Sequence, residues 1–395
     1  MGEWRRIPLG DVAKEVTVGH VGSMAGEYRK TGIPFLRSQN VLPHRVDLSD
    51  VKFIDESFHG KLKKSALAPG DVITVRTGKP GTSAVVPDWI EVANCADLVI
   101  IRPGPSLDAR WLSYYLNFAT DSDIAQHLVG AVQQHFNVRS AKALVLSLPD
   151  LDEQRAIADI LGSLDDKIRL NRHVAELGYA LQWELWRRTA KGSEQVPLVN
   201  LAPPHLGGTP SRSDERLWAG DIPWASVRDM SAADGGVLLT TAETISSAVS
   251  RSVGRLAPLP ERSVALTARG TVGKVVTLGV ASAVNQSAYG FIPPSGRGVA
   301  LRCALESIAD ELKARAHGSV FSTITMSTLE AAFVPAINEP EWDEVCVTLE
   351  LIEDRRIAAL REIQVLARTR DELLPLLMSG RIRIKDAEAR VSEVV

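Results

Sequence analysis

Asp150 after Pro149, followed downstream by Asp165-Asp166-Lys167, is the part of this sequence nearest to a catalytic pattern. A lone carboxylate, then an acidic pair with a lysine, could hold a divalent cation and cleave a phosphodiester. That chemistry places its residues on a hairpin of strands, whereas Asp165-Asp166-Lys167 falls in a stretch with the period of a long helix. His173 and Glu176 lie one helical turn apart with no further ligand run nearby, which suits a solvated helix face rather than a metal. The chain has no phosphate loop of the GxxxxGK[ST] kind, no Asn/Asp-Pro-Pro-Tyr/Phe methyltransferase motif and no serine nucleophile elbow. Cys95, Cys303 and Cys346 are far apart and odd in number, which argues against disulfides and zinc and for a reducing cytoplasm. The expectation is a chain with no catalytic residue, no metal and no cofactor of its own.

A different chemistry is better supplied. Reading base edges needs bidentate groups, arginine for guanine and asparagine or glutamine for adenine, while phosphates take lysine, arginine and small hydroxyls. Loops after predicted strands carry such residues in two blocks. The first offers Arg37, Ser38, Gln39, Asn40, Arg76, Thr77, Lys79 and the run Gln133-Gln134-His135-Phe136-Asn137-Val138-Arg139. The second offers Ser226, Arg228, Arg269, Thr271, Lys274, Gln286, Ser322, Thr323 and Thr325. A single Ser, Thr or Asn among them could equally bond its own turn. The clusters at Arg76, at Arg269 and at Gln133–Arg139 point more strongly to DNA, because polar groups occupy comparable places in both blocks.

The elements that would position these residues are written twice. Ile7-Pro8-Leu9-Gly10-Asp11-Val12-Ala13 returns as Val196-Pro197-Leu198-Val199-Asn200-Leu201-Ala202, and Ile33-Pro34-Phe35-Leu36 returns as Ile222-Pro223-Trp224-Ala225. Val72–Gly81 pairs with Val264–Gly273, Asn94 with Asn285, Leu148-Pro149 with Val334-Pro335, and Asp165–Ile168 with Asp354–Ile357. Six pairings in one order, at offsets between 186 and 193, make the chain a tandem duplication.

Each repeat opens with short β-branched runs broken by Gly, Pro and Asn, such as Asp71–Val75 and Leu98–Ile101, which read as strands between turns. Helical patterns at Ala109–Ala119 and Gly298–Ala316 make each block α/β. The period then becomes that of a helix of about 40 residues, roughly 60 Å long. In the first helix, which Asp150 or Asp152 can cap, the predicted stripe runs Ile157, Leu161, Leu164, Ile168, Val174, Leu177, Leu181, Leu185. In the second it runs Leu349, Ile352, Leu360, Ile363, Leu374, Met378, with a stop or kink near Pro375. Each narrow stripe is interrupted by one polar residue, Asn171 or Arg356, which predicts that the two helices pair with each other.

Charge is neutral on the question of DNA. The formal net charge is −3, yet residues 1–150 carry 17 Lys/Arg against 16 Asp/Glu and residues 197–335 carry 12 against 11. No stretch has the apolar length of a membrane span, and Met1-Gly2-Glu3-Trp4-Arg5-Arg6 has no apolar run behind it, so a secretory signal is not expected.

This layout resembles that of the specificity subunits of type I restriction-modification systems. Pro149-Asp150-Leu151-Asp152-Glu153-Gln154-Arg155-Ala156-Ile157 with Leu161-Gly162-Ser163-Leu164-Asp165-Asp166-Lys167-Ile168 is similar to the family's first central helix. Gly207-Gly208-Thr209-Pro210-Ser211, Arg269-Gly270-Thr271-Val272-Gly273-Lys274 and Asn285-Gln286 resemble elements of its recognition domains, and Leu377-Met378-Ser379-Gly380-Arg381-Ile382 resembles the end of its last helix. The chain departs from the pattern where the second helix begins Asn338-Glu339-Pro340-Glu341-Trp342, without a Glu-Gln pair, and at Arg76–Gly81, one residue longer than its counterpart. The resemblance implies an α/β tandem duplication of a target-recognition domain plus a long helix, the two helices pairing as an antiparallel coiled coil. The expected divisions are recognition domains at 1–150 and 193–335, long helices at 151–192 and 336–380, and a loose polar tail at 381–395. It further implies double-stranded DNA as ligand, and two modification subunits that bind S-adenosylmethionine and methylate adenine N6. Motor-nuclease restriction subunits that use ATP can join, and no membrane is involved. A methylation-only or phage-exclusion assembly, or a scaffold that reads no DNA, shares the same fold expectation. In any of these assemblies Asp152, Glu153, Arg155, Glu353 and Asp354 flank the stripes as possible docking positions.

Overall fold

The computed structural model describes residues 4–122, 136–218, 220–248, 254–316 and 323–394. Two compact units divide the chain, one of residues 1–167 with 365–395 and one of residues 168–364.

In the first unit, Ala13–Val18, Leu98–Pro103, Val72–Val75 and Ser83–Val85 form an antiparallel sheet in that order. A second sheet orders Lys52–Ile54, Ile33–Leu36, Ala93–Cys95 and Ala66–Leu67, with Ile33–Leu36 and Ala93–Cys95 parallel. Val72–Val75 is buried along its whole length, so it reads as a β-branched run rather than an alternation. Its one polar side chain, Thr74, lies 2.8 Å from the Ser83 hydroxyl and so keeps a hydrogen bond in the core. A ribbon of Arg5–Pro8 with Val145–Leu148 closes the block, and the helix Ala109–Ser122 inserts a fully buried Trp111.

The second unit repeats the scheme. Pro204–Leu206, Ala288–Phe291, Val264–Thr267, Val275–Leu278 and Val237–Leu238 form one sheet. Glu243–Ile245, Ile222–Ala225 and Ala283–Val284 form another, again with its central pair to Ala283–Val284 parallel. The ribbon is Gln195–Pro197 with Phe333–Pro335, and the helix is Gly298–Arg315.

The long helices are Leu151–Ala190 and Asp343–Met378. Asp150 caps the first, its Oδ1 accepting from the Glu153 N–H at 2.8 Å. The second runs through Pro375 rather than stopping there. It ends at Gly380, which has φ 65° and allows Arg381 N–H to reach the Leu376 carbonyl and Gly380 N–H that of Leu377. The tail is not loose: Ile384–Ser392 is a helix whose Ala387 is fully buried, with Arg383 held on Asp386 at 2.8 and 2.9 Å.

The helices pair antiparallel. In the second unit the Ala175 carbonyl meets Arg356, while Gln182 meets the Leu349 carbonyl and Glu353. In the first unit Asp165 meets Arg370. Ile157, Leu161, Leu164 and Ile168 face inward as expected, but the stripe then departs from the predicted one. Leu177 and Leu181 are exposed, and Val174 and Leu185 only half-buried. The inward positions are Asn171, Ala175, Gly178, Gln182 and Trp186, which continue the alternation of three and four as far as Gln182. Apolarity misled the expectation because this part of the seam holds a guanidinium. A Cβ on Gly178 would lie 2.7 Å from Arg356 Cγ, so only glycine leaves room for that side chain.

Candidate nucleic-acid interface

The strand ends that carry the polar loops are tied together in the same way in both units. In the first, Ala96 N–H donates to the Leu36 carbonyl at 2.9 Å and Phe136 N–H to the Arg76 carbonyl at 3.0 Å. In the second, Asn285 N–H donates to Ala225 at 3.0 Å and Ile324 N–H to Ala268 at 3.1 Å. These bonds join the loops at 37 and 96 on one sheet and those at 76 and 136 on the other, and likewise 226 with 285 and 269 with 324. Arg76 meets Asp97 and Arg269 N–H donates to the Ser287 carbonyl, so in each unit the loops gather along one edge of the block.

Two short caps recur at these edges. Asn137 Oδ1 accepts from Arg139 and Ser140 N–H, and Thr325 Oγ1 from Thr328 N–H, each starting a helical turn. Arg37 N–H donates to Asn40 Oδ1 at 3.0 Å, and the matching Ser226 caps Val227–Ala232 through Asp229. Asn137, Ser226 and Thr325 therefore shape the loops with the very atoms that made them candidates. Asn40 goes further: it is buried and its amide also donates to the Asp47 carbonyl at 2.9 Å.

Arg37 Nη2 and Gln39 Nε2 both rest on Asp50, at 3.2 and 2.5 Å from its carboxylate. Lys52 and Arg37 together hold the Asp50 carboxyl below its ordinary value. Because Asp50 is exposed, solvent screens these pairs and they hold the side chains only weakly. Arg76 pairs with Asp97, which has φ 51° at the turn after Cys95. Ser38, Thr77 and Thr323 are half-buried.

Lys79, Arg139, Arg228, Thr271 and Gln286 are exposed, with no side-chain hydrogen bond or ion pair among the described residues. Arg269 is exposed beside Tyr289, whose phenol burial raises in pKa against the pull of that guanidinium. Gly270, at φ 75°, turns the Arg269 loop against Val227. Lys274 points elsewhere: it lines a cavity with Arg172, Tyr179, Asp234 and Glu306 beside the first long helix. Gln133, Gln134, His135 and Ser322 lie outside the described residues.

One group escaped the sequence reading. Arg212 lies 3.6 Å over the Trp218 ring and 5.3 Å from Trp224, with both terminal nitrogens on Glu243 at 2.5 and 3.0 Å. Trp218 Nε1 donates to the Ser211 carbonyl and Trp224 Nε1 to that of Gly208, so the Gly207–Ser211 loop is stapled from beneath. Gly207 sits where any Cβ would strike the carbonyls of Val284 and Asn285, which presses this loop onto the Asn285 edge. Two tryptophans and an acid around one arginine was the available signal.

The pattern nearest to a nuclease is dispersed. Asp150 is committed to the helix cap, Asp165 accepts from Tyr114 and Arg370, and about 22 Å of helix separates them at 1.5 Å per residue. No group of three or more His, Cys, Asp or Glu suited to a metal occurs among the described residues. None of their helices is long and apolar enough to cross a membrane.

Residues 1–176 match the profile of the type I restriction modification DNA specificity domain. The chain is 19% identical to the putative type I restriction enzyme MjaX specificity subunit of Methanocaldococcus jannaschii, over 97% of this chain and 94% of that protein. It is 21% identical to the type I restriction enzyme HindI specificity subunit of Haemophilus influenzae, over 97% and 100%. Its fold is similar to the crystal structure of the type I restriction-modification S subunit from M. genitalium, with a TM-score of 0.66 at 14% identity over 95% and 96% of the two chains.

Proposed function

We propose that this chain, whose residues 1–176 match the type I specificity domain and which resembles two such subunits along nearly its whole length, is a type I restriction-modification specificity subunit that reads a bipartite, asymmetric DNA target and directs partner subunits to methylate adenine and to cleave. Residues 1–150 and 193–335 act as the two recognition domains, 151–192 and 336–380 as the paired helices that space them, and 381–395 as the tail.

The observation that carries this reading is the repeated loop edge. Each edge presents exposed cations or amides that its own fold leaves unengaged: Lys79 and Arg139 in one, Arg228, Arg269 and Gln286 in the other. Arg76, Arg37 and Gln39 sit behind the first set, bonded to acids. Arginine and glutamine read purine edges, and lysine with Thr271 binds phosphate. Because the two sets differ in residue types, the two half-sites differ in sequence.

The chain contributes no catalytic group. S-adenosylmethionine belongs to two modification subunits and ATP to the motor-nuclease subunits, and the complex acts in the cytoplasm. Its target is double-stranded DNA, and phosphate contacts from partners compensate for a domain charge near +1.

Single-molecule methylome sequencing of cells with and without this gene tests the proposal. Loss of N6-methyladenine at one split, asymmetric motif is the expected result. An unchanged methylome, with the partner methyltransferase expressed and active, overturns it and leaves a scaffold that reads no DNA.

A further inference from the structure

Each unit holds one polar cluster that joins four elements: a loop residue with left-handed backbone, the helix of the recognition block, and both long helices. In the first unit these are His44, Tyr114, Asp165 and Arg370. His44 has φ 64° and its ring stacks on Tyr114 at 4.1 Å. The Tyr114 hydroxyl donates to Asp165 Oδ2 at 2.5 Å, and Arg370 Nη1 donates to Asp165 Oδ1 at 2.7 Å.

In the second unit the places are held by Gly235, Arg302, Glu353 and Gln182, with Arg356 at the centre. Gly235 has φ 57° and its carbonyl accepts from Arg356. Arg302 Nη2 donates to Gln182 Oε1 at 2.9 Å, and Gln182 Nε2 donates to Glu353 Oε2 at 2.9 Å. Arg356 also bonds Glu353 and the Ala175 carbonyl, all within a buried site.

The correspondence is positional. Tyr114 and Arg302, Asp165 and Glu353, and Gln182 and Arg370 are each 188 residues apart, and His44 and Gly235 are 191 apart. Only the contact between the long helices recurs as a pair, Asp165 with Arg370 and Glu353 with Gln182; the duplication kept four places in one cluster while the side chains, and the way the recognition block joins them, changed. Apolar contact is non-directional, whereas a hydrogen bond fixes angle as well as distance, and polar groups set in an apolar seam can specify register.

We infer that the two clusters are positioning devices that index each recognition domain on the helix pair, and so set which separation of half-sites the protein accepts. This rests on the DNA-reading function proposed above. Tyr114, Asp165, Gln182, Arg302 and Arg370 touch no DNA in this role. They decide where the loop edges stand and leave what those edges read unchanged.

The test is the methylome of cells that carry the chain with its partner subunits, scored at the native spacing and at spacings one base pair shorter and longer. Tyr114→Phe removes one hydroxyl and Gln182→Met removes the amide that joins Arg302 and Glu353 to the first long helix, while Val276→Ala is a destabilising core control outside both clusters. Thermal melting of the purified complexes establishes that each variant is folded. Both cluster variants are expected to raise the ratio of off-spacing to native-spacing methylation at least tenfold, with both half-site sequences kept, and the control to leave it at the wild-type value. A folded Tyr114→Phe and a folded Gln182→Met with the wild-type ratio overturn the inference, as does an equal rise in Val276→Ala. Absence of any bipartite methylation with the wild-type chain instead overturns the DNA-reading function.

Discussion

The first unit ties its recognition block to the helices through a phenol, an imidazole and a partly exposed ion pair, while the second uses a buried guanidinium–carboxylate network. Asp165 and Arg370 keep about a quarter of their side-chain surface in solvent; Glu353, Arg302 and Arg356 keep almost none. Burial alone would raise the Glu353 carboxyl, but Arg356 and Arg302 outweigh it and hold the pKa below its ordinary value. The same meeting point can therefore be built around one partly exposed ion pair with neutral rings beside it or around several charges buried away from water. The difference lies in what happens when one member is lost. A buried charge without its partner is costly, whereas a half-exposed one is rehydrated.

That contrast gives the largest expected effect. Arg356→Met should destabilise the protein by about 3–5 kcal/mol, because it removes the guanidinium bonded to Glu353 and leaves that buried carboxylate with only the Gln182 amide on it. Arg370→Met should cost about 1 kcal/mol or less, since water can replace it at Asp165. Chemical denaturation of both variants checks this, and equal losses would erase the distinction between the two clusters.

A second comparison concerns the two halves of the first long helix. Leu164→Ala, at a fully buried position, should cost about 2–5 kcal/mol. Leu177→Ala, at an exposed one, should change stability by no more than about 0.5 kcal/mol. A large loss at Leu177 would restore the apolar stripe expected from periodicity.

The loop edges should be separable in function. Arg139→Ala is expected to relax discrimination at one base of one half-site by about 1–3 kcal/mol, and Arg269→Ala to do the same at the other half-site only. Methylome sequencing of each variant would show which half-site loosens. Relaxation of both half-sites by either change would mean that the two edges do not read independently.

The last comparison is one of pH. Burial is the main force that lowers the His44 pKa from 6.5 to about 4; Asp165 opposes it and Arg370 reinforces it. The unfolded chain then binds the proton more readily, so the stability linked to His44 is whole above pH 6.5 and declines as pH falls towards 4. His44→Asn keeps a residue tolerant of the left-handed backbone and removes the titration. Its melting temperature should fall less steeply than that of the wild type between pH 6.5 and 4.5. Identical slopes would remove His44 from the account of acid sensitivity. Gly235 at the matching place has no titrating side chain, so the effect is confined to the first unit.

Much of the architecture was legible in the residues. The duplication, the α/β blocks and the paired long helices follow from repeats and periods that any chain must obey to bury its apolar faces. The loop edges were legible as places, because Gly, Pro and Asn punctuate strands wherever the backbone must turn. The roles of single residues there were not. Asn137, Ser226 and Thr325 turned out to cap helices, Asn40 to be buried in its own turn, and Lys274 to line a cavity away from the others. Each carries the polar atoms that DNA would use, and only the local fold decides whether the backbone claims them first.

The amino-acid sequence by itself determined that this protein has two similar halves, each a mixed sheet-and-helix block followed by a helix of ten or so turns. Such features are set by local periodicity and by hydrophobic burial, which act along the chain. Tertiary structure alone decided that Gln182, not Leu181, faces the partner helix, that Arg356 fits only against Gly178, and that Arg212 lies over Trp218 with Trp224 beside it. It also brought His44 to Tyr114, and Gly235 to Arg356, across long stretches of chain. These contacts depend on distances between residues remote in sequence, where neither periodicity nor composition constrains which polar group meets which.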